Sequence, residues 1–156
     1  MYPEGFCDHR SMTLSMSIEE RQGFLADVHV GILSVSRPSL GPLSVPVWYS
    51  YTAGGVVTVI TGATSVKAVL ITREGRFSLC VQSEEAPYKY VSVEGPVEGI
   101  DTPVDPDERQ AMAYRYLGKE FGDLYLAATA GQADGSGAIR MRPESWLTSD
   151  FAKQYS

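Results

Sequence analysis

From position 28 onward the chain runs in short stretches that alternate apolar and polar side chains, punctuated by glycine, proline and serine. That period of two is the signature of half-buried strands, and the tight turns between them favour antiparallel pairing. Positions 28–35 and 43–51 form the first two runs, joined by the turn chemistry of Arg37-Pro38-Ser39-Leu40-Gly41-Pro42. In the second run Val45, Val47, Tyr49 and Tyr51 share one face. Pro46 donates no backbone hydrogen bond, which confines that strand to an edge, a bulge or an interface. Ala53-Gly54-Gly55 turns into a third run at 56–61. At 76–82, Phe77, Leu79 and Val81 fall on one face, and Ser78, Cys80 and Gln82 on the other. A longer run, 88–100, bends at Gly95-Pro96, and a last one, 138–142, ends at Pro143.

Helical periods interrupt the strands. Ser17 with Glu20 three residues on is a capping box, and Ile18, Phe24, Leu25 and Val28 supply an apolar side to a short helix. A second helix is expected from Ser65 to about Thr72, capped by Thr64 or Ser65 and stopped by Gly75. Asp105-Pro106-Asp107-Glu108 opens a third, with a proline and acids in its first turn, which stops at Gly118. Met112, Tyr116 and Leu117 are its core candidates. A fourth, 119–130, is expected to bury Phe121, Leu124, Tyr125 and Ala128 and to stop at Gly131. The physical expectation is a small, mainly β, antiparallel barrel with peripheral helices. Residues 1–16 carry neither period and read as a loose tail before a single domain, 17–156; Met12 or Met16 would serve equally well as a start.

Composition narrows the function. The 156 residues carry 13 Lys+Arg against 19 Asp+Glu, a net charge of −6, which disfavours non-specific nucleic-acid binding. No apolar run approaches the roughly 18 residues that span a bilayer. Two cysteines, Cys7 and Cys80, and two histidines, His9 and His29, make neither a disulfide framework nor a zinc site, and no secretory signal opens the chain. The expectation is a cytoplasmic protein with no metal and no membrane partner.

Candidate chemistry is sparse. His29 is the one histidine within the patterned region, and with no Gly-x-Ser-x-Gly elbow it reads as a structural strand residue. The glycines at 131–137 follow a helix instead of opening one, so they form no dinucleotide fingerprint, and Lys67 lacks the glycine of a P-loop. Arg140 and Arg142 alternate with Met141 and read as surface residues. The segment Thr61-Gly62-Ala63-Thr64-Ser65-Val66-Lys67 is more suggestive. It lies where a strand runs into a helix N-terminus, with unpaired amides, hydroxyls and one ammonium: the parts a phosphate needs. A capped helix with a solvated lysine is the plain alternative.

Three stretches add weight. Leu43-Ser44-Val45-Pro46-Val47-Trp48-Tyr49, Ser65-Val66-Lys67-Ala68 with Leu70, and Pro87-Tyr88-Lys89-Tyr90-Val91-Ser92-Val93-Glu94-Gly95 resemble the flavin-flanking strand, the phosphate turn and the Tyr/Trp-x-x-Val-x-Val-x-Gly strand of the pyridoxamine 5'-phosphate oxidase-like family. With Pro143-Glu144-Ser145-Trp146, the chain is most similar to the actinobacterial branch that uses the deazaflavin coenzyme F420. Ser65 stands where many of those relatives have arginine, and the substrate Arg and His of the oxidases proper have no counterpart. The resemblance implies an FMN-binding-like split β-barrel that pairs as a homodimer with a cofactor cleft at the interface. Lys67, Ser65 and Thr61 would fix the phosphate. Ser44, Val45, Pro46, Val47 and Trp48 would line the ring pocket, and Tyr88, Lys89 and Tyr90 of a second chain would meet the cofactor tail or substrate. The implied activity is hydride transfer from F420 to a small unsaturated or quinone-like acceptor, with no catalytic side chain. An FMN-dependent oxidoreductase and a non-catalytic F420 or flavin carrier are the alternatives.

Overall fold

The computed structural model describes residues 14–156. Its elements follow in the order α1 (Ile18–Ala26), β1 (Gly31–Arg37), β2 (Leu40–Val47), β3 (Tyr49–Tyr51), β4 (Val57–Gly62), α2 (Val66–Glu74), β5 (Arg76–Gln82), β6 (Lys89–Asp101), α3 (Pro106–Ala128), β7 (Ser136–Met141) and β8 (Ser145–Asp150). Single-turn helices cover Ala130–Gln132 and Phe151–Tyr155. Every strand pair is antiparallel. The path β2-β1-β5-β6-β7-β4-β3 curls one sheet into a split barrel, with β8 added beside β6.

The 13-residue β6 makes the curl possible, because its first half pairs with β5 and β8 and its second half with β7. Gly95 sits where it passes from one set of partners to the other. A side chain there would place its Cβ 1.8 Å from the Arg142 carbonyl oxygen, so only glycine permits this crossing. The backbone seals it: Arg142 N–H donates to Pro96 O and Glu144 N–H to Glu94 O, each at 2.9 Å. The expected bend at Gly95-Pro96 is therefore a continuous strand changing partners.

Inside the curl lies one apolar cluster. Leu33 and Val35 of β1, Phe77, Leu79 and Val81 of β5, Val91 and Val93 of β6 and Ile139 and Met141 of β7 are buried in it. Val47, Tyr49 and Tyr51 join it on the shared face that their alternation predicts. β2 is an edge strand, as Pro46 requires. The capping box on α1 and the Ser65 cap and left-handed Gly75 stop on α2 form as expected.

The structure corrects several sequence expectations. The run 43–51 is broken at Trp48 into β2 and β3, which pair with different strands. His29 lies in the loop before β1. Its Nε2 is 3.0 Å from the Phe24 carbonyl oxygen, and its ring packs on the Phe24 ring. Ile18 and Val28 are exposed, leaving Leu25 as the buried residue of α1. The two helices expected after Asp105 do part at a kink, Gly118, whose φ of 76° and ψ of 177° are not helical, but the second closes at Thr129, before Gly131. Beyond that kink, Phe121 and Leu124 are 66% and 62% exposed, and Tyr125 and Ala128 are exposed too. Helical spacing reveals an apolar stripe and says nothing of what covers it. β8 was not anticipated. Of the expected tail, residues 1–13, with Cys7 and His9, lie outside the described residues, whereas Leu14 and Met16 are buried and Met16 N–H donates to Thr148 Oγ1 at 3.0 Å.

Candidate functional site

The break between β2 and β3 creates a cleft. Pro46 and Val47 end β2, Trp48 occupies the break, and Ile60 and Thr61 end β4 alongside. Lys67, the second residue of α2, reaches in from the helix N-terminus. Val30 and Tyr125 complete a cavity of about 390 Å³. Five of the residues singled out from the sequence, Pro46, Val47, Trp48, Thr61 and Lys67, thus border one space.

Its cationic end is built simply. Ser65 Oγ caps α2 by accepting Ala68 N–H at 3.3 Å and lies 3.3 Å from Thr61 Oγ1. The amides of Val66 and Lys67, at the positive end of the helix dipole, find no acceptor among the described residues. Neither does the half-buried Lys67 ammonium, which has no ion pair there. Arg140 and Arg142 differ. Arg140 binds Glu108 through two nitrogens at 2.7 and 2.9 Å and also Asp101 and Thr58, and Arg142 pairs with Glu98 and Glu144.

The aromatic end depends on α3. The Tyr116 ring stacks on Trp48 at 5.0 Å and 5°, and Tyr125 meets the same indole at 5.2 Å and 54°. Residues nine apart on an unbroken helix point in opposite directions and lie about 13 Å apart along its axis. The kink at Gly118 lets both touch Trp48. Tyr116 O–H donates to His29 O at 2.7 Å and accepts Tyr49 N–H at 3.0 Å. Arg115 donates to Tyr49 O at 3.1 Å, Ala26 O at 3.0 Å and Asp27 O at 2.9 Å. The strand break is thereby pinned to the helix. Sequence reasoning missed Tyr116, Tyr125 and Arg115 as parts of this wall; the glycine stop at Gly118 was visible, the fold-back it allows was not.

The other candidates lie elsewhere on the chain. Ser44 is exposed on β2 with its Oγ 2.8 Å from Ser34 Oγ, and Val45 packs against the core. Tyr88 is exposed before β6, Tyr90 pairs between Gln82 and Ser149, and Lys89 Nζ lies 4.0 Å from Asp150. Lys89 borders a different cavity, beside Met16 and Phe24. No group of three or more metal-ligating side chains occurs among the described residues, and no helix there is long and apolar enough to cross a membrane.

No family model and no curated protein matches this chain. Solved structures do. A conserved hypothetical protein from Mycobacterium tuberculosis is similar with a TM-score of 0.72 at 22% identity, over 92% of this chain and 91% of that one. An F420 reductase is similar with a TM-score of 0.67 at 24% identity, over 80% and 94%. An FAD-binding protein from Mesorhizobium loti gives 0.58 at 18%, over 85% and 94%. The fold is the split β-barrel that the sequence resemblance implied, shared with an F420 reductase and a flavin-nucleotide binder.

Proposed function

We propose that this protein is an oxidoreductase that binds the deazaflavin F420 in the cleft between Trp48 and Lys67. The observation that carries the reading is Lys67, a half-buried residue of the cleft whose ammonium has no counter-ion among the described residues and stands beside two helix amides unpaired among them. A cation beside vacant donors favours an anion, and a phosphate uses all three groups at once. Thr61 and Ser65 add hydroxyls. Trp48, held flat by Tyr116, offers an apolar wall to a ring system.

The bound cofactor supplies the hydride chemistry. The chain's own residues bind and orient it: Lys67 and the α2 amides hold the anionic end, while Pro46, Val47 and Trp48 exclude water from the ring. The cleft is also flanked by apolar surface. Val66 and Val69 of α2 and Phe121 and Leu124 of α3 are exposed on the two helices that supply Lys67 and Tyr125. A second copy of the chain covers these residues and closes the cleft, bringing Tyr88, Lys89 and Tyr90 toward it.

Fluorescence titration of the purified protein with F420 and with FMN tests the reading. F420 is expected to bind, and Lys67→Ala to weaken it by about tenfold or more, the worth of a charged hydrogen bond. Unchanged affinity in that variant overturns the phosphate assignment. The similarity to an FAD-binding protein makes FMN the second candidate; tighter FMN binding with the same Lys67 dependence selects it. Bound cofactor without turnover of quinones or enones marks a carrier instead.

A further inference from the structure

A second cavity, of about 360 Å³, adjoins the cleft, and Ile60, Thr61 and Tyr125 border both. Lys67 borders only the first and Arg109 only the second. The fold-back of α3 sets Arg109 in place. On an unbroken helix residues 109 and 129 would stand about 30 Å apart, yet beyond the kink at Gly118 the chain returns and Thr129 meets Arg109. Arg109 Nη2 donates to Thr129 O at 3.0 Å and to Thr129 Oγ1 at 2.5 Å, and that hydroxyl donates in turn to Tyr125 O at 2.7 Å. The guanidinium is thereby fixed before any ligand arrives, so little side-chain freedom remains to be lost on binding.

That anchorage uses one nitrogen. Nε and Nη1 of Arg109 have no acceptor among the described residues, and no ion pair there neutralises its charge. The acids beside it in sequence are committed elsewhere. Asp105 caps α3 by accepting the N–H groups of Asp107 and Glu108, and Glu108 binds Arg140. No aspartate or glutamate lines the cavity, in a chain whose 19 acidic residues outnumber its 13 Lys+Arg. Gln132 stands in the same wall, and its side chain has no hydrogen bond among the described residues. Ser136 O–H is already given to Ala133 O at 2.6 Å, so Arg109 and Gln132 supply the free nitrogen donors.

Charge and shape select the ligand. One guanidinium without a counter-ion balances one negative charge, and its hydrogen bonds to an ionised acceptor are about twice as strong as neutral ones. Ile60 and the Tyr125 ring give the cavity an apolar flank. Its volume lies within the usual range for small-molecule sites, roughly 300–1,000 Å³, and a bare ion would leave most of that space to water.

We propose that this cavity binds a monoanionic organic acid with a flat apolar body, its carboxylate on Arg109 and Gln132 and its body against Ile60 and Tyr125. The site is separate from the phosphate position at Lys67, and it stands whether or not the cleft holds F420.

Amide-resolved NMR of the full chain without cofactor tests the site, with 2-naphthoate as probe and the uncharged 2-naphthamide as its isosteric control. Saturable naphthoate shifts are expected at residues 60–62, 109, 125 and 132–136. Naphthamide is expected to bind at least about tenfold more weakly, the worth of a charged hydrogen bond. Inorganic phosphate, which has charge but no apolar body, is also expected to bind at least about tenfold more weakly. Arg109→Gln, which keeps a donor for Thr129 but no charge, is expected to lower naphthoate affinity to that of naphthamide. The comparison of probes on the native chain holds even if that variant fails to fold. Equal affinity for naphthoate and either control, absence of saturation, or shifts centred on Trp48 and Lys67 overturns the proposal. So does an Arg109→Gln chain that folds and loses F420 as strongly as Lys67→Ala, because the cavity then belongs to the cofactor. Failure of the cofactor reading shows in the F420 and FMN titrations of the native chain, and failure of this one in the naphthoate shifts.

Discussion

Tyr49 shows how much one side chain can carry. Its phenol is fully buried and donates to Leu25 O at 2.6 Å, joining β3 to the end of α1. Burial, helped by the neighbouring Tyr116, raises its pKa well above the ordinary 10.0, because a phenolate there would lose its solvent. The unfolded chain then releases this proton near pH 10 while the folded one keeps it. Stability is therefore intact below that pH and declines as pH rises above it. Urea unfolding at pH 9 and pH 11 is expected to show a steeper alkaline loss for the native chain than for Tyr49→Phe; equal slopes would refute the assignment. The inward face of Tyr49 was legible from its alternation with Val47 and Tyr51. Its partner was not, because Leu25 O is distant along the chain. Lys67 is similar: the sequence places it at a helix N-terminus, but only the cleft distinguishes an unpartnered cation from a solvated one.

At the scale of elements, α3 decides the shape of the cleft, and its attachment is electrostatic as well as apolar. Glu108, in its first turn, takes a bidentate bond from Arg140 on β7, with both side chains about one-quarter exposed (26% and 28%). Arg76–Glu94, by contrast, is an open surface pair at 51% and 41%. Glu108→Gln is expected to cost about 1.5–3 kcal/mol, the worth of hydrogen bonds to a partly desolvated charge. Glu94→Gln is expected to cost no more than about 1 kcal/mol. Chemical denaturation of the two variants checks the order, and equal losses would show that the Arg140 cluster is ordinary surface. The start of α3 and its interruption at Gly118 were readable from local chemistry. The exposure of Phe121 and Leu124 was not, since the same stripe results whether it faces this core or another chain. β8 escaped because the strand ended by Pro143 was read as the last one. Its register depends on Glu144 N–H reaching Glu94 O, far away in sequence.

For the whole molecule, exposed apolar side chains on both helices beside the cleft predict association. Light scattering behind a sizing column is expected to find a dimer at micromolar concentration. Phe121→Asp with Leu124→Asp is expected to yield a folded monomer with weakened cofactor binding. A native chain that is monomeric there would remove the second wall from the proposed cleft.

Taken alone, the sequence determined the strand periods, the caps of α1 and α2, the glycine interruptions at Gly75 and Gly118, the edge position of Pro46 and the split-barrel class. All of these depend on neighbours a few residues apart or on motif likeness. Only the tertiary structure decided that the run 43–51 breaks at Trp48, that Tyr116 and Tyr125 converge on that indole, and that Lys67 faces a cavity with no counter-ion among the described residues. Those facts arise from contacts between distant segments, and alternation along a chain carries no information about which segment will stand opposite.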